Sequence, residues 1–335
     1  SFSLSMGFQD KKSVVLSAAI LVLLFPLLSV AQLVPYQYLT DTGNADGSLT
    51  FFSIGDWGRQ GHVNQTQTAV GMGVVGAAQS PNFIIGTGDN FYENGVTTPT
   101  DPQYNLSFTS IYTAPSLQKQ WYNVLGNRDY RGKVSAQIDP AVKTSTDPRW
   151  NCFQQYKLSA GLADFFIIDT TPSVPTYFTN ASATLPAGIS YDWAAMKTDR
   201  DTYLTNMLKT LDTELSKSTA RWKIVVGHHP VWSTGLLGPT DYLVANLTPI
   251  LEKYKVHVYL NGHDHDLQNY VVNGVNFITT GAGSQTDRGQ GPWPQTGLKY
   301  YYSSQGFLGA KLTQAKGDFA FYDINGNVLY SWTIV

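Results

Sequence analysis

The sequence predicts an α/β protein in which two mixed sheets pack together with helices outside. Three observations lead there. Five apolar runs of strand length, FFSIG, FIIGTG, WYNVLG, KIVVG and VHVYLNG, each stop at a glycine. Helix-spaced segments separate several of them, which is the β-α-β order of right-handed parallel crossovers. Beyond His265 strand-like runs alternate with turns, as antiparallel strands do.

In chain order, residues 34–48 are polar and read as a linker, and 50–54 as a strand. Residues 64–79 alternate small and apolar types at helical spacing, with Pro81 just past the end. Residues 83–85 and 121–125 are strands, 97–104 a Pro- and Thr-rich loop, and 131–150 an irregular surface excursion. DFFII at 164–168 is a buried strand ending at Asp169. Residues 199–217 form an amphipathic helix with Leu204, Leu208, Leu211 and Leu215 along one stripe. Then follow strand 222–226, helix 242–254 and strand 256–260. The later strands are 270–272, 275–279, 307–312, 319–324 and 328–334, and Asn325-Gly326 between the last two signals a hairpin.

A chain of 335 residues with net charge −2 is long enough to bury a large core without staples. Cys152 stands alone, so no internal disulfide forms. Charges are scarce and balanced with no basic run, which leaves nucleic-acid binding without an electrostatic footprint. Lys11 and Lys12 precede an apolar stretch over residues 13–30, and Ser29 and Ala31 suit a cleavage site before Gln32. Residues 1–31 are therefore expected as a signal peptide or a signal anchor. In the second case residues 13–30 contact a membrane, although Pro26 weakens a long helix there. Sequons at Asn64, Asn105, Asn180 and Asn246 favour N-glycans and the secretory route, extracellular or vacuolar/lysosomal.

The residue after each glycine is a strong metal ligand: Asp56, Asp89, Asn127, His228 and His263. Tyr92 follows Asp89 by three positions, and His265 follows His263 by two. A glycine at a strand end leaves the next side chain at the sheet rim, where α/β sites form. If these segments meet, residues 32–335 must be one domain. Carboxylate, amide oxygen and imidazole without any thiol suit Zn, Fe or Mn. A phenolate from Tyr92 needs a strongly Lewis-acidic cation such as Fe(III), because tyrosine otherwise ionises near pH 10. Asp89, in the middle of the set, is the simplest bridge between two ions about 3.5–4 Å apart, and such a pair suits hydrolysis of phosphate esters. One strand-Gly-Asp alone is weak, since Asp often caps a following helix. The ordered set of five is far more specific. His62 and His257 read as structural or exposed.

The ordered motifs GDWG (55–58), GDNFY (88–92), GN (126–127), VVGHH (225–229) and GHDH (262–265) resemble the metallophosphatase signature, and GDNFY narrows this to the purple acid phosphatases. YTAPSLQKQWYNVLGNRDYRG and FYDINGNVLYSW are similar to the small, tartrate-resistant-like members, and the likeness runs from Leu49 to Trp332. The resemblance implies a four-layer αββα sandwich and a centre of Fe(III) with a second divalent metal, Fe, Zn or Mn. Asp56, Tyr92 and His265 match its Fe(III) ligands, Asp89 its bridge, and Asn127, His228 and His263 its divalent-ion ligands. The implied activity is that of an acid phosphatase acting on phosphate monoesters.

Two departures from that pattern matter. The family's Gly-Asn-His motif has Arg128 in place of His, and Leu236 and Leu237 stand where a second active-site His is expected. Arginine can hold a phosphate oxygen but keeps its proton. Since general acid help is typically worth about 10²–10⁴-fold, aryl esters and anhydrides are expected to turn over better than alkyl phosphates. His229 is the candidate substitute acid. The alternative is a catalytically impaired metal- or phosphate-binding structural protein in a membrane or extracellular assembly. A metallophosphodiesterase with the same donors is disfavoured by Tyr92.

Overall fold

Alternating side chains sort the strands into three apolar layers. Along β2 (Leu49–Ile54), Leu49 and Phe51 enter one core and Phe52 and Ile54 another, and all six residues are buried. β3 (Phe83–Gly86) repeats this with Phe83 and Ile85 against Ile84. β7 (Ala163–Ile167) and β8 (Trp222–Val226) send Phe165, Ile167, Ile224 and Val226 into the shared core, and Phe166 and Val225 to the far side. A strand apolar on both faces must be covered on both faces. The shared core lies between two sheets, helix Gln65–Gln79 closes one outer face through Ala69, Met72 and Val75, and helix Arg200–Lys217 closes the other through Leu204, Met207 and Leu211. The result is four layers, αββα.

The computed structural model describes residues 2, 35–179, 185–287 and 289–335. The expected leader and the sequon at Asn180 lie outside them. The described residues from 35 to 335 belong to one compact unit. Among the described residues the first sheet has eight strands in the order β1-β6-β7-β8-β9-β11-β10-β12 and the second has seven, β15-β14-β13-β2-β3-β4-β5. The remaining strands are β1 (Gln37–Asp41), β4 (Gln120–Asn123), β5 (Trp150–Cys152), β6 (Tyr156–Ala160), β9 (Val258–Asn261), β10 (Leu267–Val272), β11 (Val275–Thr280), β12 (Leu298–Tyr302), β13 (Gly306–Leu312), β14 (Gly317–Asp323) and β15 (Val328–Ile334). β2 to β5 run parallel, as do β7, β8 and β9, whereas β13 to β15 are antiparallel. The carboxyl ends of both parallel sets leave loops at the rim.

Four expectations need correction. The linker at 34–48 contains β1, an edge strand parallel to β6, whose alternation of exposed and half-buried polar residues carries no apolar signal. Residues 131–150 are not a surface excursion, because Val134, Gln137, Val142 and Trp150 are buried over the aromatic cluster around Trp57. The helix expected over 242–254 is two, Asp241–Asn246 and Thr248–Lys253, since Pro249 lacks the donor that would join them. β6 and β12 were not anticipated. The Asn325-Gly326 hairpin is present, with Gly326 at φ +81°. No helix among the described residues is long and apolar enough to cross a membrane.

Candidate metal centre

Each expected ligand sits just beyond a strand end: Asp56 after β2, Asp89 and Tyr92 after β3, Asn127 after β4, His228 after β8, and His263 and His265 between β9 and β10. The turns are tight. Asp56, Asp89 and His263 adopt φ of 58°, 49° and 73°, a left-handed region that costs a non-glycine residue about 1–3 kcal/mol and clusters at functional sites. Two glycines permit the close approach. Gly88, at φ +96°, passes so near the His228 ring that a Cβ would lie 2.6 Å from Nδ1, and a Cβ on Gly126 would overlap Asp89.

All seven side chains converge, in two groups. In the first, the Tyr92 hydroxyl lies 2.8 Å from Asp56 Oδ1, 3.0 Å from Asp89 Oδ2 and 3.1 Å from His265 Nε2. In the second, His228 Nε2 lies 3.2 Å from Asn127 Oδ1, 3.3 Å from His263 Nδ1 and 3.5 Å from Asp89 Oδ1. Asp89 gives one oxygen to each group.

Protons alone do not satisfy this crowding. One phenolic hydrogen cannot serve two carboxylate oxygens. His228 Nδ1 is 2.8 Å from the Thr87 carbonyl, which assigns the neutral ring's hydrogen to Nδ1 and leaves Nε2 a bare lone pair facing Asn127 and Asp89 oxygens. Lone pairs aimed at one another call for a cation between them. Neighbouring donors about 3 Å apart are close enough to share one cation, whose bonds to such atoms would be about 2 Å long. The donor set therefore fits two ions.

The local electrostatics agree. Burial would raise the Asp56 carboxyl, but His228 and then His265 outweigh it and hold it below the usual carboxylate range. Burial, then Asp56 and Asp89, push the Tyr92 phenol well above 10 without a cation. Burial and His228 keep His263 well below 6.5. Burial alone would lower His265, and its contacts with Asp56 reverse that.

A calcineurin-like phosphoesterase family model matches residues 49–267, well over half of the chain. Over 288 residues the chain is 49% identical to purple acid phosphatase 7 of Arabidopsis thaliana, covering 85% of this chain and 86% of that protein. The chain belongs to the purple acid phosphatases. This purple acid phosphatase is also 34% identical over 287 residues to human tartrate-resistant acid phosphatase type 5, with coverage of 79% and 84%. Among solved structures, one described as GAP50, the anchor in the inner membrane complex of Plasmodium, matches at TM-score 0.68 and 24% identity over 86% of this chain and 88% of that one. That likeness shows the fold alone. Membership of the family implies a binuclear metal centre.

Arg128 and Leu237, the two positions where the resemblance led one to expect histidine, lie at the same rim. The Arg128 backbone N–H donates to Asp89 Oδ1 at 2.7 Å, and its side-chain Nε is 3.9 Å from Asp89 Oδ2. Leu237 is exposed and, with Pro175, Pro239, Tyr242 and His263, lines a cleft of about 250 Å³. His229 is fully buried, with Nδ1 3.1 Å from Thr170 Oγ1 and Nε2 3.2 Å from the Tyr177 hydroxyl.

Sequence reasoning missed the supports. Thr170 Oγ1 accepts from the backbone N–H of both His228 and His229, at 3.1 and 2.9 Å. Asp169 beside it accepts from the Tyr130 and Tyr203 hydroxyls. Asp264 accepts from the backbone of Leu237 and Gly238 and from the Ser233 hydroxyl, so it anchors the cleft loop. The DFFII strand did end at the right place, but without a glycine to mark it.

Proposed function

We propose that this chain is an acid phosphatase that hydrolyses phosphate monoesters at a two-metal centre held by Asp56, Tyr92 and His265 on one side, Asn127, His228 and His263 on the other, and Asp89 between. The observation that carries the reading is the division of the two Asp89 oxygens between two crowded donor groups. Fe(III) on the Tyr92 side with Fe, Zn or Mn on the other suits these donors. Two such cations, when bound, supply an activated water at mild pH and polarise phosphoryl oxygens.

The chain's own groups do the rest. Arg128, side chain 26% exposed, reaches the rim and presents to a substrate anion a guanidinium that keeps its proton. Both ring nitrogens of His229 are engaged and the ring is sealed from solvent. It is therefore proposed to hold Tyr177 and pack against His263, and the acid role expected of it has no path to a leaving group. Without a proton donor, leaving groups of low basicity are favoured. The fit to an impaired, structural relative rests on the same loss and is separated by turnover.

The test is p-nitrophenyl phosphate hydrolysis across pH 4–8 by metal-loaded protein, with the visible spectrum recorded on wild type and Tyr92→Phe. Hydrolysis together with a colour lost in the variant supports the reading. Metal-loaded protein without turnover supports the structural alternative. Passage through the secretory pathway, to the cell exterior or a vacuole, is part of the proposal. The sequon residues Asn64, Asn105 and Asn246 are exposed, as N-glycans require.

A further inference from the structure

Beside the metal centre, two guanidinium groups share one carboxylate. Arg59 Nη1 pairs with Glu93 Oε1, and Arg128 Nη1 lies 3.1 Å from Glu93 Oε2. Both arginines stand over the same ring: Cζ of Arg59 is 3.7 Å and Cζ of Arg128 5.4 Å from the centroid of Tyr92. That ring carries the hydroxyl at the heart of the first donor group, so the pair of cations sits about one aromatic ring away from the candidate metals.

The three members are unequal. The Arg59 side chain is 9% exposed and its Nε–H is buried without a hydrogen-bond partner. Glu93 is 56% exposed. A buried guanidinium on an aromatic face is fixed, because stacking and packing restrict it. An exposed glutamate adds little stability to an ion pair and can swing away at small cost. A fixed arginine with a second arginine beside it, both closed by a loose carboxylate, is what an oxyanion site looks like when the protein's own side chain fills it.

We propose that Arg59 and Arg128 form a second anion subsite, occupied at rest by Glu93, which receives an additional anionic group of the substrate. The ligand class is a phosphate ester carrying a carboxylate or second phosphate within a few ångströms of the scissile phosphorus. With the phosphate at the metal centre, the second anion displaces Glu93 and spans the two arginines. The inference rests on the phosphatase reading for its location, and on the Arg59–Glu93–Arg128 geometry for its chemistry. It also gives Arg128 a role that a histidine at that position would not fill, since arginine presents two parallel donors to an oxyanion.

The test compares two ligands that differ only in the second anion, 2-phosphoglycolate and ethyl phosphate. Their Kd values are measured by calorimetry on metal-loaded wild type, Glu93→Gln and Arg59→Gln. Glu93→Gln, a change at an exposed side chain, should widen the preference for phosphoglycolate to about tenfold or more. Arg59→Gln should narrow it to about twofold or less. Unchanged preference in both variants, or Glu93→Gln shifting in the same direction as Arg59→Gln, overturns the subsite. Hydrolysis of p-nitrophenyl phosphate on the same samples separates the two claims. Hydrolysis with equal affinities in every variant defeats the subsite alone, and a carboxylate preference without hydrolysis defeats the phosphatase reading alone.

Discussion

The rim where β2, β3, β4, β8 and β9 end and the antiparallel arm β13–β15 use buried strands for opposite purposes. In the arm, aromatic rings do the work: Phe319, Phe321 and Tyr330 all pack on Trp332 with centroids 5.2–5.4 Å apart. Its positive φ among the described residues falls on Gly326, where glycine adopts it freely. At the rim, Asp56, Asp89 and His228 are buried with oxygen and nitrogen lone pairs crowded together, and positive φ angles fall not only on Gly88 but on Asp56, Asp89 and His263. Such an arrangement weakens the metal-free fold. The arm secures the fold through area removed from water, and that stability lets the rim hold donors in positions they would not choose.

The contrast can be broken from either side. Asp89→Ala removes the residue that joins the two donor groups. Phosphatase activity should fall on the order of 10³-fold or more, while the denaturant midpoint of the metal-free protein does not fall. Phe321→Ala in the arm should do the reverse, lowering unfolding free energy by about 3–5 kcal/mol with kcat on folded protein unchanged. A smaller effect is expected at Arg128 and Leu237. Arg128→His combined with Leu237→His should raise alkyl phosphate turnover by about 10²-fold and aryl phosphate turnover far less.

The smallest effect concerns Asp169, which lies behind the rim. Burial, only partly offset by the hydroxyls of Tyr130 and Tyr203, raises its carboxyl to about 6. The folded chain thus binds this proton more tightly than the unfolded chain does. Below pH about 4 the group is protonated in both states and costs nothing, and between about 4 and 6 stability falls as pH rises, by roughly 2–3 kcal/mol in all. Asp169→Asn should flatten that part of the stability–pH curve, and urea midpoints at pH 4 and 7 measure it.

The site was more legible than parts of the fold. Strand-Gly-ligand repeats mark a rim because the glycine and the polar residue interrupt an otherwise apolar run, and five such interruptions share one meaning. β1 and β12 were hidden because edge strands need no apolar face, as the half-exposed Tyr300–Tyr302 shows. Residues 131–150 looked irregular because their burial runs through short helices and the Asp147–Arg149 ion pair, whose charged residues read as surface. Thr170 and Glu93 were invisible for another reason: each acts through residues far away in sequence, and no local pattern records that.

The most direct test of the central claim, that Asp89 joins two cation sites, counts metal ions in the purified protein by elemental analysis. Wild type supplied with iron and zinc should hold two metal ions per chain. One ion or none in folded wild-type protein would contradict the account.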